Sequence, residues 1–307
     1  MYMIHSLKSK EVRWLHALRP TPEELMTLND IITLPSLLIE ELTIPSHRPK
    51  VTAYDHSLYL VLHFPVYDKK EQIVVSRELD FVIAKDAVLT VHYDTIEPLE
   101  KIRDRLASEE IRQRYFGESS YVFLHHLISE LFDFSLNELD QIKKEIDAVE
   151  EDIYRGKGRE MVEAISRVKR NLINFGGAMK PQHAVLETFN EYGKNFFNAH
   201  AKSAFVFRDL LHQYHLIQNL LKTYNETLNA LDRTNQSLIT THTNEIMKIL
   251  TIMAFATFPL MLFTSLFGMN TKVLPIVGHP QDFWIIVGIM ILATAAMFAY
   301  FKNKGWI

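Results

Sequence analysis

Ile249 to Phe267 reads ILTIMAFATFPLMLFTSLF and Phe283 to Phe301 reads FWIIVGIMILATAAMFAYF, two nineteen-residue runs without a formal charge. At about 1.5 Å per residue each makes a helix roughly 28 Å long, close to the ~30 Å hydrocarbon thickness of a bilayer. A helix apolar on every side needs an apolar solvent or a complete protein shell. Two such runs near the C-terminus, joined by fifteen residues, are expected to be transmembrane spans;.

Charge follows the same division. Lys, Arg, Asp and Glu are frequent up to Lys248, whereas the rest of the chain carries only Lys272, Asp282, Lys302 and Lys304. Lys248 precedes the first run and Lys302 and Lys304 follow the second, so the positive-inside rule puts both chain ends in the cytosol;. Trp284, Tyr300 and Trp306 stand where interfacial aromatics belong;. The opening MYMIHSLKSKEVRW has no uninterrupted apolar stretch of the secretory kind, so the start of the chain is also expected in the cytosol;. The expected location is thus the cell (inner) membrane, multi-pass, with lipid as a partner. A net charge of -4 gives no basic face for nucleic acid, and the absence of cysteine excludes disulfides, thiolate metal sites and a cysteine nucleophile;.

The polar part reads as an α+β domain followed by helices. Short β-rich runs, VTAYD, SLYLVLHF, QIVVS, LDFVIA and AVLTVHY, lie within residues 1–95, with a helix start signalled by Thr21-Pro22-Glu23-Glu24;. No GxGxxG, Walker-type loop or GxSxG elbow occurs, so neither an enzyme nor an organic cofactor is expected;. Residues 96–202 read as helical: Ser120 to Tyr154, closed by Gly156 and Gly158; Arg159 to about Asn174; and a third helix after Pro181;. The acidic run ELDQIKKEIDAVEEDIY reads as a solvated helix face, or as a device that concentrates cations;.

From Ser203 to Phe258 there is neither Gly nor Pro, and the helical pattern continues into the first span. A helix over 203–268 would be about 100 Å long, far beyond a typical globular helix. A stalk of that length is expected to pack against copies of itself. Just before the membrane, Asn235 to Asn244 reads NQSLITTHTN, polar but uncharged, which suits either an inter-helix seam or contact with a hydrated ion;.

These features together resemble the CorA family of magnesium and cobalt transport proteins. The resemblance rests on Asn244-Glu245-Ile246-Met247-Lys248-Ile249-Leu250-Thr251, leading through Pro259 to Phe267-Gly268-Met269-Asn270, which looks like an inner pore helix ending in the family's GMN signature. Arg48-Pro49-Lys50-Val51 with Tyr54-Asp55, Leu89-Thr90-Val91-His92, Phe207-Arg208-Asp209-Leu210 and the tail Lys302 to Trp306 extend it along nearly the whole chain. The resemblance implies a funnel-shaped homopentamer, five long helices around a pore, residues 283–301 as an outer ring, 269–282 as an external loop and 302–307 as a cytosolic basic tail. It also implies closure by Mg2+ bound between neighbouring cytosolic domains, with Asp209 the matching carboxylate and Asp55 a weaker candidate. One departure is Thr271-Lys272-Val273-Leu274-Pro275-Ile276-Val277-Gly278, where the family usually has an aromatic residue and an acid after the signature; Asp282 is a partial substitute.

Within that frame the residues suggest a mechanism. Mg2+ gives up water reluctantly, so a ring of Asn270 amide oxygens, with Gly268 carbonyls nearby and Met269 between, would select the hydrated ion. Asn244, Met247, Leu250, Ala254, Phe258, Met261 and Ser265 recur at helical spacing and are expected to line the pore, with Met247 and Leu250 as an apolar gate;. The same spacing also suits plain helix packing. A divalent ion crossing 100 mV gains about 4.6 kcal/mol, so membrane potential suffices as driving force for Mg2+, and for Co2+ or Ni2+. His212 with His215 is a weaker transition-metal candidate, and His125 and His126 should point apart;. A zinc-handling relative and a membrane-anchored sensor or scaffold remain as alternatives.

Overall fold

The computed structural model describes residues 4–10, 12–46, 48–197, 202–270, 276–278 and 280–306, with backbone only over 202–207. Strands β1 (Ile4–Ser9) and β2 (Val12–Leu18) come first, then the short helices α1 (Pro22–Met26) and α2 (Ser36–Glu41). Strands β3 (Lys50–Ala53), β4 (Leu58–Asp68), β5 (Ile73–Ile83) and β6 (Ala87–His92) follow. Then come α3 (Glu97–Arg105), α4 (Glu109–Phe116), α5 (Ser120–Tyr154), α6 (Met161–Met179), α7 (Gln182–Phe196), α8 (Lys202–Phe267) and α9 (Asp282–Asn303). The chain divides into two compact units, Met1–Asp232 and Arg233–Ile307.

The first unit is built on a sheet of order β1-β2-β6-β5-β4-β3, antiparallel throughout except where β2 runs parallel to β6. Its central strands are buried on both faces, which explains their continuous apolar runs. In β4, Leu58, Leu60, Leu62 and Phe64 point to a core completed by the long helices, while Tyr59 and Val61 point to a second core formed with Leu25, Leu38 and Leu42. Thr21 begins α1 with a reciprocal capping box: Glu24 N donates to Thr21 Oγ1 and Thr21 N donates to Glu24 Oε2;.

The sheet is larger than the sequence pattern suggests. The runs QIVVS and LDFVIA are one eleven-residue strand, and β1 and β2 join it from a segment that gives no strand signal. An edge strand shows solvent one face, and β1 exposes His5, Ser6 and Lys8 while only Ile4 and Leu7 turn inward, too few for a clear alternation;.

The helices lie close to where the pattern sets them. Helix α5 spans Ser120–Tyr154 as expected, with Ser119 Oγ accepting from Val122 N, and Gly156 takes the left-handed turn at φ +86° that ends it;. Its acidic run is the outer face of an amphipathic helix whose inner face, Leu139, Ile142, Ile146, Val149 and Ile153, is buried. Helix α6 extends five residues past Asn174, through Gly176 and Gly177. A Cβ on Gly176 would lie 3.2 Å from Leu221 Cδ2, so glycine here permits close packing of α6 on α8;. Asn171 and Asn174 on α6 complete the polar edge of β5: Val74 N donates to Asn171 Oδ1 at 3.1 Å, and Asn174 Nδ2 donates to Val74 O at 2.9 Å.

The second unit contains the end of α8 and all of α9, each long and apolar enough to span a bilayer. Ring contacts join Phe255 to Phe301 and Phe301 to Trp306, and Lys248 Nζ donates to Gly305 O at 3.5 Å. The start of the first apolar run and the end of the second therefore lie at one level, as in a helical hairpin.

Candidate ion path and regulatory residues

Helix α8 carries the candidate path. It turns one set of residues toward α9: Ile252, Ala256, Pro259, Leu260, Phe263 and Phe267 are partly covered, as is Thr251 on another face. At about 100° per residue the centre of the Asn244, Met247, Leu250, Ala254, Phe258, Met261, Ser265 stripe lies about 180° from that set. All seven stripe residues are exposed, Met261 by 66% and Phe258 by 65%. The stripe is thus free of contact with α9 and available to an axis, another copy or lipid. Neighbouring side chains such as Met253, Phe255 and Leu262 are exposed too, so exposure by itself does not single out the stripe.

Hydroxyls along this helix share an arrangement. Thr240, Thr243, Thr251, Thr257 and Thr264 each donate from Oγ1 to a carbonyl one turn earlier in α8. A hydroxyl that spends its hydrogen on its own helix presents only lone pairs outward. Within NQSLITTHTN, Thr240 and Thr243 are oriented this way.

Pro259 lacks an amide hydrogen, so the Phe255 carbonyl has no donor one turn later in the helix;. The helix ends at Phe267, and Gly268 N donates to Thr264 O at 2.9 Å. A Cβ at position 268 would sit 2.9 Å from the same carbonyl oxygen, closer than real side chains come, so the signature glycine is required by the helix's own last turn;. Met269 and Asn270 follow immediately, both exposed and outside regular structure. Residues 271–275, including Lys272, lie outside the described residues, and Asp282, the first residue of α9, accepts from Gly278 N and Phe283 N.

Asp209 lies on α8 within the first unit, facing α5. His125 Nε2 donates to Asp209 Oδ2 at 2.9 Å, and one turn on Gln213 Nε2 donates to Ser129 Oγ at 2.6 Å. Burial holds the His125 imidazole below its ordinary range, against the opposing pull of Asp209;. Asp133 lies near the same group, its carboxyl pushed up by burial and by the charges of Glu130 and Asp209. Asp209 Oδ1 accepts no hydrogen bond from a described residue. Hard carboxylate oxygens with one lone-pair set uncommitted suit Mg2+.

Asp55 occupies the exposed bend between β3 and β4 and has no hydrogen bond to Asp209. His126 turns away from His125 and donates from Nδ1 to Tyr115 O, as adjacent helical positions require;. His215 packs against His183 while His212 is exposed, so this pair forms no converging metal site among the described residues. A grouping absent from the sequence reading is His16, His92 and Glu100, which three separate elements bring together. Residues on different strands and a helix leave no spacing signal.

The whole chain has relatives of similar length. It is 26% identical over 273 residues to the cobalt/magnesium transport protein CorA of Thermotoga maritima, covering 88% of this chain and 76% of the relative. It is 24% identical to the protein of the same description from Methanocaldococcus jannaschii, covering 98% and 93%. The complete structure of the CorA magnesium transporter from that organism superposes with a TM-score of 0.84 at 23% identity, over 99% of this chain and 94% of the other. That likeness shows a shared fold: an α/β domain, a long helix and two apolar C-terminal helices. The family model described as CorA-like Mg2+ transporter protein matches residues 9–303, and the chain therefore belongs to the CorA-like family, membrane transport proteins rather than enzymes.

Proposed function

We propose that this chain is one subunit of a homo-oligomeric channel, a homopentamer by the family resemblance, through which hydrated divalent cations move passively. Mg2+ is the chief cargo, with Co2+ and Ni2+ as further candidates, and the membrane potential supplies the driving force. In this reading residues 1–95 and 96–202 are cytosolic, 203–268 form the stalk and inner pore helix, 269–282 the external loop, 283–301 the outer span and 302–307 a cytosolic tail. The pairing of Lys248 with the Gly305 carbonyl supports a common side for the two span ends, and the lysines there favour the cytosol;.

The observation that carries the reading is the direction of α8: a stripe of exposed residues opposite α9 that ends beside Gly268-Met269-Asn270. Around a symmetry axis, Asn270 would offer amide oxygens to the water shell of Mg2+ without stripping it, since amide oxygens accept from bound water at low cost in charge. Met247 and Leu250 would form an apolar constriction that empties of water when narrow. Asp209, with Asp55 as a weaker partner, would hold the regulatory Mg2+ between subunits, and a ligand that binds only the closed assembly shifts the population toward closure.

The test is Mg2+ entry into proteoliposomes under a negative-inside potential, native chain against Asn270→Ala at equal incorporation. Influx by the native chain that collapses in the variant supports the pore and its selecting ring. Zn2+ entry without Mg2+ entry would replace the reading with zinc transport, and no cation flux at all would replace it with a tethered domain.

A further inference from the structure

We propose that His16, His92 and Glu100 form a transition-metal site within the sheet domain, one that takes Zn2+ or the similar ions Co2+ and Ni2+. The inference stands apart from the transport reading, because none of these residues belongs to α8 or α9.

Strands β2 and β6 are parallel neighbours in which His16 pairs with Thr90 and Leu18 with His92. His16 and His92 therefore share one face of the sheet, two residues out of register, and their rings stack at 4.7 Å;. Their Nε2 atoms are 3.2 Å apart. A tetrahedral ion with Zn–N bonds of about 2.0–2.1 Å separates its nitrogen ligands by about 3.3 Å, so the pair already has the spacing of one edge of such a site. Glu100, on α3 above the sheet, sets Oε1 3.5 Å from His16 Nε2, and the three ligand atoms lie within 4.8 Å of one another.

The outer contacts point the same way. His92 Nδ1 donates to the Asp94 carbonyl at 2.6 Å, which leaves Nε2 of the neutral ring with its lone pair inward;. His16 Nδ1 is engaged by Thr90 Oγ1 at 3.1 Å, and Thr90 Oγ1 in turn accepts from Trp14 Nε1 at 3.0 Å. Metal-binding histidines are commonly oriented in this way through their second nitrogen. Burial holds both imidazoles below their ordinary range, His16 down to about 3;.

Arg103 pairs with the other oxygen of Glu100, and its own charge opposes the incoming ion. Glu100 is partly exposed and gives a route in from solvent, whereas the histidines are buried. Two imidazoles and one carboxylate favour Zn2+, Co2+ or Ni2+ over Mg2+, which seeks oxygen. Ion binding would move the proton lying between the two Nε2 atoms to His16 Nδ1, where Thr90 Oγ1 can accept it, and would tie β2, β6 and α3 together.

The test uses the full-length protein, purified, stripped of metal and held in millimolar Mg2+ to fill oxygen sites. Co2+ is titrated by its visible absorption, and Zn2+ is used to displace it and is then counted by mass spectrometry. The expected result is one ion per chain with intense four-coordinate Co2+ bands, about tenfold or more weaker in His16→Gln and in Glu100→Gln. The partly exposed Glu100→Gln keeps the metal-free melting temperature but loses the rise that Zn2+ gives the native chain. Absence of such bands, or equal binding by native and Glu100→Gln proteins, overturns the site.

Discussion

His125 on α5 hydrogen-bonds Asp209 on α8 at 2.9 Å, so the carboxylate proposed for the regulatory ion is already held by an imidazole of its own chain. The pair is half-exposed at Asp209 and contributes little to stability, under about 1 kcal/mol;. Its consequence is competition: a cation at Asp209 must share or displace the His125 proton donor.

Asp209→Asn is expected to raise the Mg2+ concentration that half-inhibits flux by about tenfold, a coupling loss of roughly 1.4 kcal/mol. His125→Leu, which removes the competing donor, should lower it. Acid acts in the other direction from His125→Leu. Burial depresses the His125 value, so the ring is neutral near pH 7, and protonation below the ordinary imidazole range strengthens its hold on Asp209 and weakens inhibition;. Stopped-flow flux across a Mg2+ series at two pH values measures both. An unchanged inhibition curve in Asp209→Asn would remove this residue from regulation.

At the proposed gate, Met247→Asn and Leu250→Asn should each raise Mg2+ leak under conditions that close the native channel, because a polar ring keeps the constriction wet. Met247→Leu should leave it closed. If Ile252→Asn, on the face toward α9, leaked equally, the effect would lie in helix packing and not in the stripe.

A third expectation concerns the sheet. Asp80 is fully buried and accepts from Tyr59 and Tyr93 hydroxyls at 3.1 and 3.0 Å, and burial together with Glu78 pushes its carboxyl well up. The folded state therefore holds a proton that the unfolded chain releases near the ordinary Asp value. This contribution is complete below that value and declines as pH rises toward the folded one, by up to about 1.4 kcal/mol per pH unit. Asp80→Asn keeps an acceptor for the tyrosines without ever ionising. Its melting temperature should match the native one in acid and exceed it increasingly toward pH 8; parallel melting curves would show that Asp80 is ionised in the fold.

Much of the fold was legible because it rests on local periodicity. The unbroken pattern from Ser203 to Phe267, the amphipathic stretch Ser120 to Tyr154 and the capping box at Thr21 are properties of neighbours in the chain, and each became the element expected. Strand β1 was not legible, since a strand on the exposed edge carries little apolar alternation, and β2 pairs in parallel with β6, far away in sequence. The use of glycine inside α6 was hidden for a similar reason: what a side chain at Gly176 would crowd is Leu221 on another helix.

The candidate sites divide along the same line. Sequence alone determined the two spans, the stripe and the signature at its end, because apolar runs and helical spacing are set by order along one chain. Only the tertiary structure decided that α9 covers the face opposite the stripe, that Gly268 must approach the Thr264 carbonyl, and that Asp209 is met by His125. It alone brought His16, His92 and Glu100 within reach of one ion. Such contacts join residues far apart in the chain, and the path that folding takes between them leaves no period for the sequence to display.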